Sequence, residues 1–368
     1  MFRRCTMVLS VLCLSFVGRS ALGDVQYTVT DLGNLGGSYV YPNGINNSGQ
    51  VVGYAATAGD AAQHAFLYSS SGPMQDLGTL GGTNSVAYGI NNSGQVVGYA
   101  ETSGGVSHTF LYADGSIHDL NVFDGAESGA YAISNTGYVA GIYTYTTNGN
   151  SHAFLYRAGS ATDLGVLPGG SFSYAMSVND TGQAVGYADN SKNGRPHAFL
   201  YSGSGPMQDL GTLGGTDSYA WDINSSGDIV GDASTSDGAL HAFLYSGSGP
   251  MQDLGTLVGD SESVAWGLNN RGQIVRRSDS GNSGFHAVLW SASGAIQDLN
   301  TLIDPSSKWI LEDANAINDA GQIVGSGINP SGQNCAFLLT PIPEPSTLVL
   351  LGVGAISLLA FAWRRRRV

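Results

Sequence analysis

The chain has 368 residues, of which only 11% are charged and 10% aromatic, and it carries 54 glycines. That profile is too apolar and too aromatic for disorder, and it fits many tight turns closing well-buried strands. With 28 acidic against 14 basic residues the net charge is −14, which leaves no basic surface for phosphate and excludes nucleic acid as a partner.

From the N-terminus, residues 1–23 read as a secretory signal peptide. Arg3 and Arg4 form a basic start, Met7 to Val17 an apolar run, and Ala21-Leu22-Gly23 a small-residue cleavage site before Asp24. Two of the three cysteines, Cys5 and Cys13, fall in this segment. The mature chain then keeps only Cys335, so no internal disulfide is expected despite export.

Residues 24–341 repeat themselves. A phrase close to DLGTLGG starts at Asp31, Asp76, Asp119, Asp163, Asp209, Asp253 and Asp298, with gaps of 45, 43, 44, 46, 44 and 45 residues. HAFLY or a near variant opens at His64, His108, His152, His197, His241 and His286, and a degraded copy, CAFLL, opens at Cys335. A third phrase, close to INNSGQVVG, recurs at Ile45, Ile90, Ile133, Val178, Ile223, Leu268 and Ile317. Seven copies at so even a period define a repeat architecture.

Each unit holds four runs that read as strands. In the fifth they are MQDLGTL (Met207 to Leu213), SYAWDIN (Ser218 to Asn224), DIVGDA (Asp228 to Ala233) and HAFLY (His241 to Tyr245). All are rich in β-branched or aromatic residues and bounded by Gly, Ser, Asn or Asp. In INNSGQVVG, Asn and Ser can bond their own backbone, and Gly49 or Gly94 can take the positive φ of a tight hairpin. No sustained helical period with caps occurs between the two ends, so almost no helix is expected.

Four antiparallel strands per unit of about 45 residues match a propeller blade, which predicts an all-β, closed seven-bladed β-propeller. An open solenoid with frayed ends is the competing architecture. The first DLG has no HAFLY before it, and CAFLL has no DLG after it. If the chain is cut inside one hairpin, YTVTDLG pairs with CAFLL, closing a ring and removing the open sheet edges.

The C-terminal segment, 342–368, changes character. Pro343-Glu344-Pro345 is followed by an apolar run from Thr347 to Trp363 and then by Arg364, Arg365, Arg366 and Arg367. As a helix the run covers roughly 25 Å, just enough to span a bilayer, and the arginines beyond it act as a cytoplasmic stop. Setting aside Arg3, Arg4, Arg19 and the four terminal arginines leaves 7 basic residues against 28 acidic ones, so the displayed part carries about −21.

Pro343-Glu344-Pro345, the apolar run and the arginine cluster together resemble the PEP-CTERM sorting signal of Gram-negative bacteria. The HAFLY, DLGTLGG and INNSGQVVG units resemble the HAF family of extracellular repeats, which often carries this tail. The resemblance implies export through the inner membrane, transient membrane anchoring by the C-terminal helix, and processing by an exosortase-type sorting protease near the PEP motif. It also implies a place at the cell surface or in an extracellular matrix rich in polysaccharide. It brings no catalytic residues with it. One departure stands out: the sixth unit reads IVRRS (Ile274 to Ser278) where others read close to VVGYA.

The repeated histidines invite a metal reading, but one histidine per blade is spread around a ring, and zinc needs three or four convergent ligands. They are read as structural, bonded to a neighbouring strand or to the DLG carboxylate, and the aspartates as turn or inter-strand hydrogen-bonders. No cofactor is assigned, a central carboxylate ring holding Ca²⁺ being the alternative. Residues that break the repeat are better candidates for function: Glu101, His118, Asp124, Glu127, Lys192, Arg195, Asp260, Glu262, Arg276, Arg277, Trp309, Glu312 and Asp313. An acid pair such as Glu127 with Glu262 would serve a glycoside hydrolase or polysaccharide lyase, though no spacing selects it. The expectation is therefore a non-catalytic surface or matrix module whose partners are extracellular polysaccharide or other surface proteins.

Overall fold

Short apolar strands alternating with glycine-closed turns can satisfy their backbone only by pairing with their chain neighbours. In the computed structural model, which describes residues 26–144, 149–190, 194–279 and 284–342, they form seven four-stranded antiparallel sheets. In one of them Gly81–Ile90 is innermost, followed outward by Val96–Thr102, Ser107–Ala113 and Ser116–Asp119. The sheets pack face to face in chain order, and the seventh packs against the first. The molecule is a closed seven-bladed β-propeller. Blades 1 to 7 are numbered here by their innermost strands: Gly36–Ile45, Gly81–Ile90, Ser128–Ile133, Ser173–Val178, Gly214–Ile223, Glu262–Leu268 and Ile310–Ile317.

Closure is by strand exchange between the two ends. Tyr27–Asp31 pairs antiparallel with Phe337–Pro341 and becomes the outermost strand of blade 7, whose other three strands come from the C-terminal side. The helix content of the described residues is three short 3₁₀ turns, at Ala58–Asp60, Leu299–Leu302 and Pro305–Ser307. The signal segment 1–23, the sorting motif Pro343-Glu344-Pro345, the apolar run Thr347 to Trp363, Arg364 to Arg367 and Lys192 lie outside the described residues.

MQDLGTL, expected in one unit with the SYAWDIN that follows it, is divided between two blades. Gln208–Asp209 pairs with Leu200 and Phe199, as the outermost strand of the preceding blade 4. Only the rest of the phrase crosses to blade 5. The period of a repeat is visible in sequence, but its phase is set by which neighbouring strand each phrase pairs with. Here the short SGSG turn folds DLG back onto the HAFLY strand before it.

The core is divided into seven wedges, each between two adjacent blades. The phenylalanine of HAFLY fills these wedges: Phe66, Phe110, Phe154, Phe199, Phe243 and Phe337 are fully buried. Each lies across from the glycine of VVG on the neighbouring strand, as Phe110 does from Gly98. A Cβ on Gly98 would meet Val86 O at 1.8 Å and Phe110 Cε1 at 2.9 Å, so only glycine lets the strands approach this closely. Blade 6 alone among the described blades departs, with Arg276 in the glycine position and Val288 opposite it.

Candidate functional site

The turns joining the first and second strands of each blade ring one end of the central channel. In blade 1, Asn46 Oδ1 accepts from the backbone N–H groups of Ser48 (3.1 Å) and Gln50 (2.9 Å), while Gly49 takes φ 77°. This is the hairpin chemistry expected from INNSGQ. The other end of the amide has a second task. Asn46 Nδ2 donates to Asn91 O of blade 2 at 3.1 Å, and Asn91 Nδ2 to Ser134 O of blade 3 at 3.2 Å. Asn179, Asn224, Asn269 and Asn318 repeat this, the last reaching back to Asn46 O at 2.9 Å. In blade 3, where Ser134 replaces asparagine, Thr136 Oγ1 donates to Asp180 O at 2.8 Å instead. The next residue builds a second tier, as where Asn47 N–H donates to Asn92 Oδ1 at 2.9 Å. The phrase is thus both a turn and an inter-blade clasp, and the doubled asparagine was the signal for it.

Three residues before the clasp, every innermost strand carries a β-bulge. The residues that drop out of the ladder are Asn43, Tyr88, Tyr131, Met176, Trp221, Trp266 and Asn315. A bulge re-aims its side chain, and bulges recur beside functional sites. Here all seven residues line the channel, a cavity of about 390 Å³ bounded at its end by the clasp turns. Tyr88 and Tyr131 lie with ring centroids 4.9 Å apart, and Trp221 and Trp266 with centroids 5.3 Å apart. Burial pushes the Tyr88 and Tyr131 hydroxyls far above their ordinary range, so both are neutral donors. The charged residues on the lining are Asp180, Asp222 and Asp319. Removal from solvent pushes the Asp222 carboxyl up to about 6, against hydrogen bonds from Ser177, Leu268 and Ile223. Burial also works to raise Asp319, but donors from Asn270 and Asn47 bring it below the usual carboxylate range.

Behind Trp221 and Trp266 lies a charged cluster drawn from blades 5, 6 and 7. Burial pushes the Asp232 carboxyl up to about 7, opposed by the indole N–H of Trp221 and by Arg276 and Arg277. The buried Arg276 guanidinium sits 3.3 Å over the Trp266 ring, donates to Asn315 Oδ1, and approaches Asp313 at 3.5 Å. Arg277 reaches the same Asp313 oxygen at 3.5 Å. Three of the repeat-breaking residues, Arg276, Arg277 and Asp313, therefore meet. Others do not join them: Glu101 binds the Thr83 and Asn84 amides, Arg195 pairs with Asp217 at 3.6 Å, and His118 bonds Ser116. Glu127 and Glu262, the acid pair considered for glycoside cleavage, stand at blades 3 and 6 with two blades between them.

The repeated histidines and aspartates lie on the outer half of the blades, away from the channel. Histidine Nδ1 meets the DLG carboxylate in His64–Asp76 (2.7 Å), His108–Asp119 (2.8 Å), His152–Asp163 (3.1 Å), His197–Asp209 (2.9 Å) and His241–Asp253 (2.9 Å). Blade 6 differs: His286 faces Asp260 at 3.5 Å, and Asp298 accepts from Asn300 N (2.8 Å) at the start of a 3₁₀ turn. In blade 7, Cys335 holds the histidine position, and Asp31 accepts from Gly33 N at 2.9 Å. The DLG aspartates thus occupy outermost strands and form no central ring. Among the described residues no three His, Cys, Asp or Glu side chains stand close enough to hold a metal ion. A buried serine beside each pair clips blades together: Ser85 Oγ accepts from Ala65 N (2.9 Å) and donates to Gly78 O (2.6 Å), not to His64.

Seven blades around a bulge-lined channel define the class: this is a β-propeller of the closed kind. Residues 341–367 match the PEP-CTERM protein-sorting motif, which marks an exported, surface-sorted protein processed by an exosortase. Residues 172–335 are similar to a family described as a protein of unknown function, DUF3466. No curated protein matches the chain. Among solved structures it is similar to TolB from Acinetobacter baumannii, at 13% identity and TM-score 0.47, covering 81% of this chain and 64% of that one. The chain therefore spans less than two thirds of that protein's length. The β-propeller domain of the Trilobed protease from Pyrococcus furiosus, at 11% identity and TM-score 0.49, matches over 72% of this chain and 84% of that one. The SapL1 lectin, crystallised with alpha methyl fucoside, matches at 15% identity and TM-score 0.42, over 72% of this chain and 96% of that one.

Proposed function

We propose that this exported propeller is a surface or matrix module that binds extracellular polysaccharide without cleaving it, in keeping with its resemblance to HAF repeats. The observation that carries this reading is the channel lining. It presents four aromatic side chains and several amides, while two of its carboxylates, Asp180 and Asp319, are tied up by the clasp. Aromatic faces and neutral hydrogen-bonding groups are what a hydroxyl-rich, largely uncharged ligand needs. A net charge near −21 on the displayed part sets the module against polyanions.

The competing reading is a propeller-type polysaccharide lyase or glycoside hydrolase. Asp222 favours it, since a carboxyl held near 6 on a cavity wall is suited to general acid work. Its oxygens, however, accept from Ser177 Oγ and Leu268 N–H at 2.8 and 2.9 Å, an inter-blade bridge that spends both of them. Incubating the protein with neutral and acidic polysaccharides, and measuring both retention in affinity gels and release of reducing or unsaturated ends, separates the two. Retention without new chain ends is expected; steady release of ends overturns the binding reading.

A further inference from the structure

We infer that the seven bulge residues form one ligand site that takes a neutral glycan, stacked on Trp221 and Trp266, with Arg276 as the positioning residue of that sector. This rests on the binding reading above and adds where the sugar sits and what kind it is.

Backbone and side chain behave differently at this position. The bulge occurs at the same place in all seven blades, so its geometry is part of the repeat. The side chain it aims inward changes from blade to blade, in a chain whose turns and core phrases barely change. Going round the ring, Tyr88 and Tyr131 make one aromatic pair, Met176 follows, Trp221 and Trp266 make the second pair, and Asn315 and Asn43 close the circle. One arc therefore offers flat apolar faces and the other offers amides. That division matches a pyranose ring, which has C–H faces and a hydroxyl edge. Among the described residues no lysine or arginine lines the cavity, so a uronate or phosphate would meet three carboxylates there and no cation to balance it.

The sector at blades 5 to 7 is reinforced by a paired exchange in the core. Six blades place glycine against phenylalanine between their second and third strands, and blade 6 places Arg276 against Val288. An arginine added without the smaller partner would overfill the wedge. With valine opposite, the arginine stem has room, and its guanidinium reaches the back of Trp266 and the oxygen of Asn315. Two of the seven ring residues are fixed by one buried cation, while the indole N–H of Trp221 is held by Asp232. The ring faces of both tryptophans are thereby oriented before any ligand arrives, and Trp266 remains 37% exposed.

The test is a tryptophan-fluorescence titration of the full-length protein with cellotetraose, N-acetylglucosamine tetramer and galacturonate tetramer. At least one neutral tetramer is expected to shift the emission saturably, and the galacturonate tetramer is not. Trp221→Leu and Trp266→Leu, which keep apolar bulk, should each weaken binding tenfold or more, read by calorimetry because the fluorophore is altered. Arg276→Lys should weaken it several-fold and change the sugar-free emission, whereas His241→Ala on the rim should leave affinity unchanged. Undiminished neutral-sugar binding by the two tryptophan variants overturns the channel site but leaves the binding reading standing. Failure of the folded, unmodified protein to bind either neutral tetramer overturns both.

Discussion

At Arg276 the chain places its largest cation where six other blades need glycine, and the contact with Val288 makes that tolerable. Val288→Phe alone should overpack blade 6 and cost about 1–3 kcal/mol. Arg276→Gly alone should leave a gap and take one of two cations from Asp313 and Asp232, leaving Arg277. Combining them rebuilds the pair used elsewhere, so denaturant unfolding should show a favourable coupling of about 1 kcal/mol or more. Strictly additive losses would show that the two residues do not share one space. Asp232 carries a different signature. Its folded carboxyl is raised to about 7 from an ordinary 3.8, so the folded state holds a proton that the unfolded chain releases. Its contribution is therefore fully present below about pH 4 and lost as pH rises through about 7. Asp232→Asn should match the parent near pH 4 and exceed it at pH 8, by a few kcal/mol at most, in melts followed by circular dichroism. An equal or larger advantage at pH 4 would contradict this sign. The His–Asp pairs are partly buried at the histidine and more exposed at the aspartate, and individually modest. His197→Ala should lower Tm by about 1–3 °C, in keeping with roughly 1 kcal/mol for a partly exposed pair, without changing bound metal. Stoichiometric zinc lost in that variant would reverse the structural reading of these histidines.

Among the elements, the N-terminal strand has an effect out of proportion to its size. Tyr27–Asp31 completes blade 7; Tyr27 buries its side chain in the wedge between blades 6 and 7, and Leu32 in the wedge between blades 7 and 1. Deleting residues 24–32 should expose the Asn334–Pro341 edge and remove the strand that carries the chain from blade 7 into blade 1 across the ring seam. A fall in Tm well beyond 10 °C, or aggregation on purification, is expected from calorimetry. A truncated protein melting within a degree or two of the parent would mean that closure contributes little. In blades 1, 4 and 5 the outermost DLG strand is a two-residue piece such as Gln75–Asp76, too short to hold itself, and its register is kept by the histidine opposite and the glycine turn that follows.

For the whole molecule, location depends on the tail. The sorting-motif match at 341–367 favours cleavage near Pro343-Glu344-Pro345, because an anchor alone has no need of that tripeptide. Intact mass of the protein from its native cells should show a chain ending before Thr347. A chain that retains Arg364 to Arg367 would be an ordinary membrane-tethered propeller. On the binding reading proposed above, a released ring whose channel is lined by four aromatic side chains, amides and three carboxylates would take its ligand along the axis, end-on or threaded.

Much of the architecture was readable before folding, because the forces that set it are local. Strand length, the Asn-Ser-Gly hairpins and the close-approach glycines all act within one period, so seven even copies with unmatched ends were enough to imply a closed ring. The repeated histidines and aspartates were visible as positions for the same reason. What the sequence could not display is anything set by register or by contact across blades. The bulge that turns Tyr88, Trp221 and Trp266 inward is a slip between two strands, invisible in a run such as SVAYGIN, where the residue reads as one more half-buried strand position. Asn46 and Asn318 are 272 residues apart and bond only because the ring closes. Arg276 and Asp313 stand out in the sequence as breaks in the repeat, but only the meeting of three blades brings them, with Asp232, around one indole pair. Period and turn chemistry are properties of the chain; the channel lining is a property of the closed circle, since no single blade possesses it.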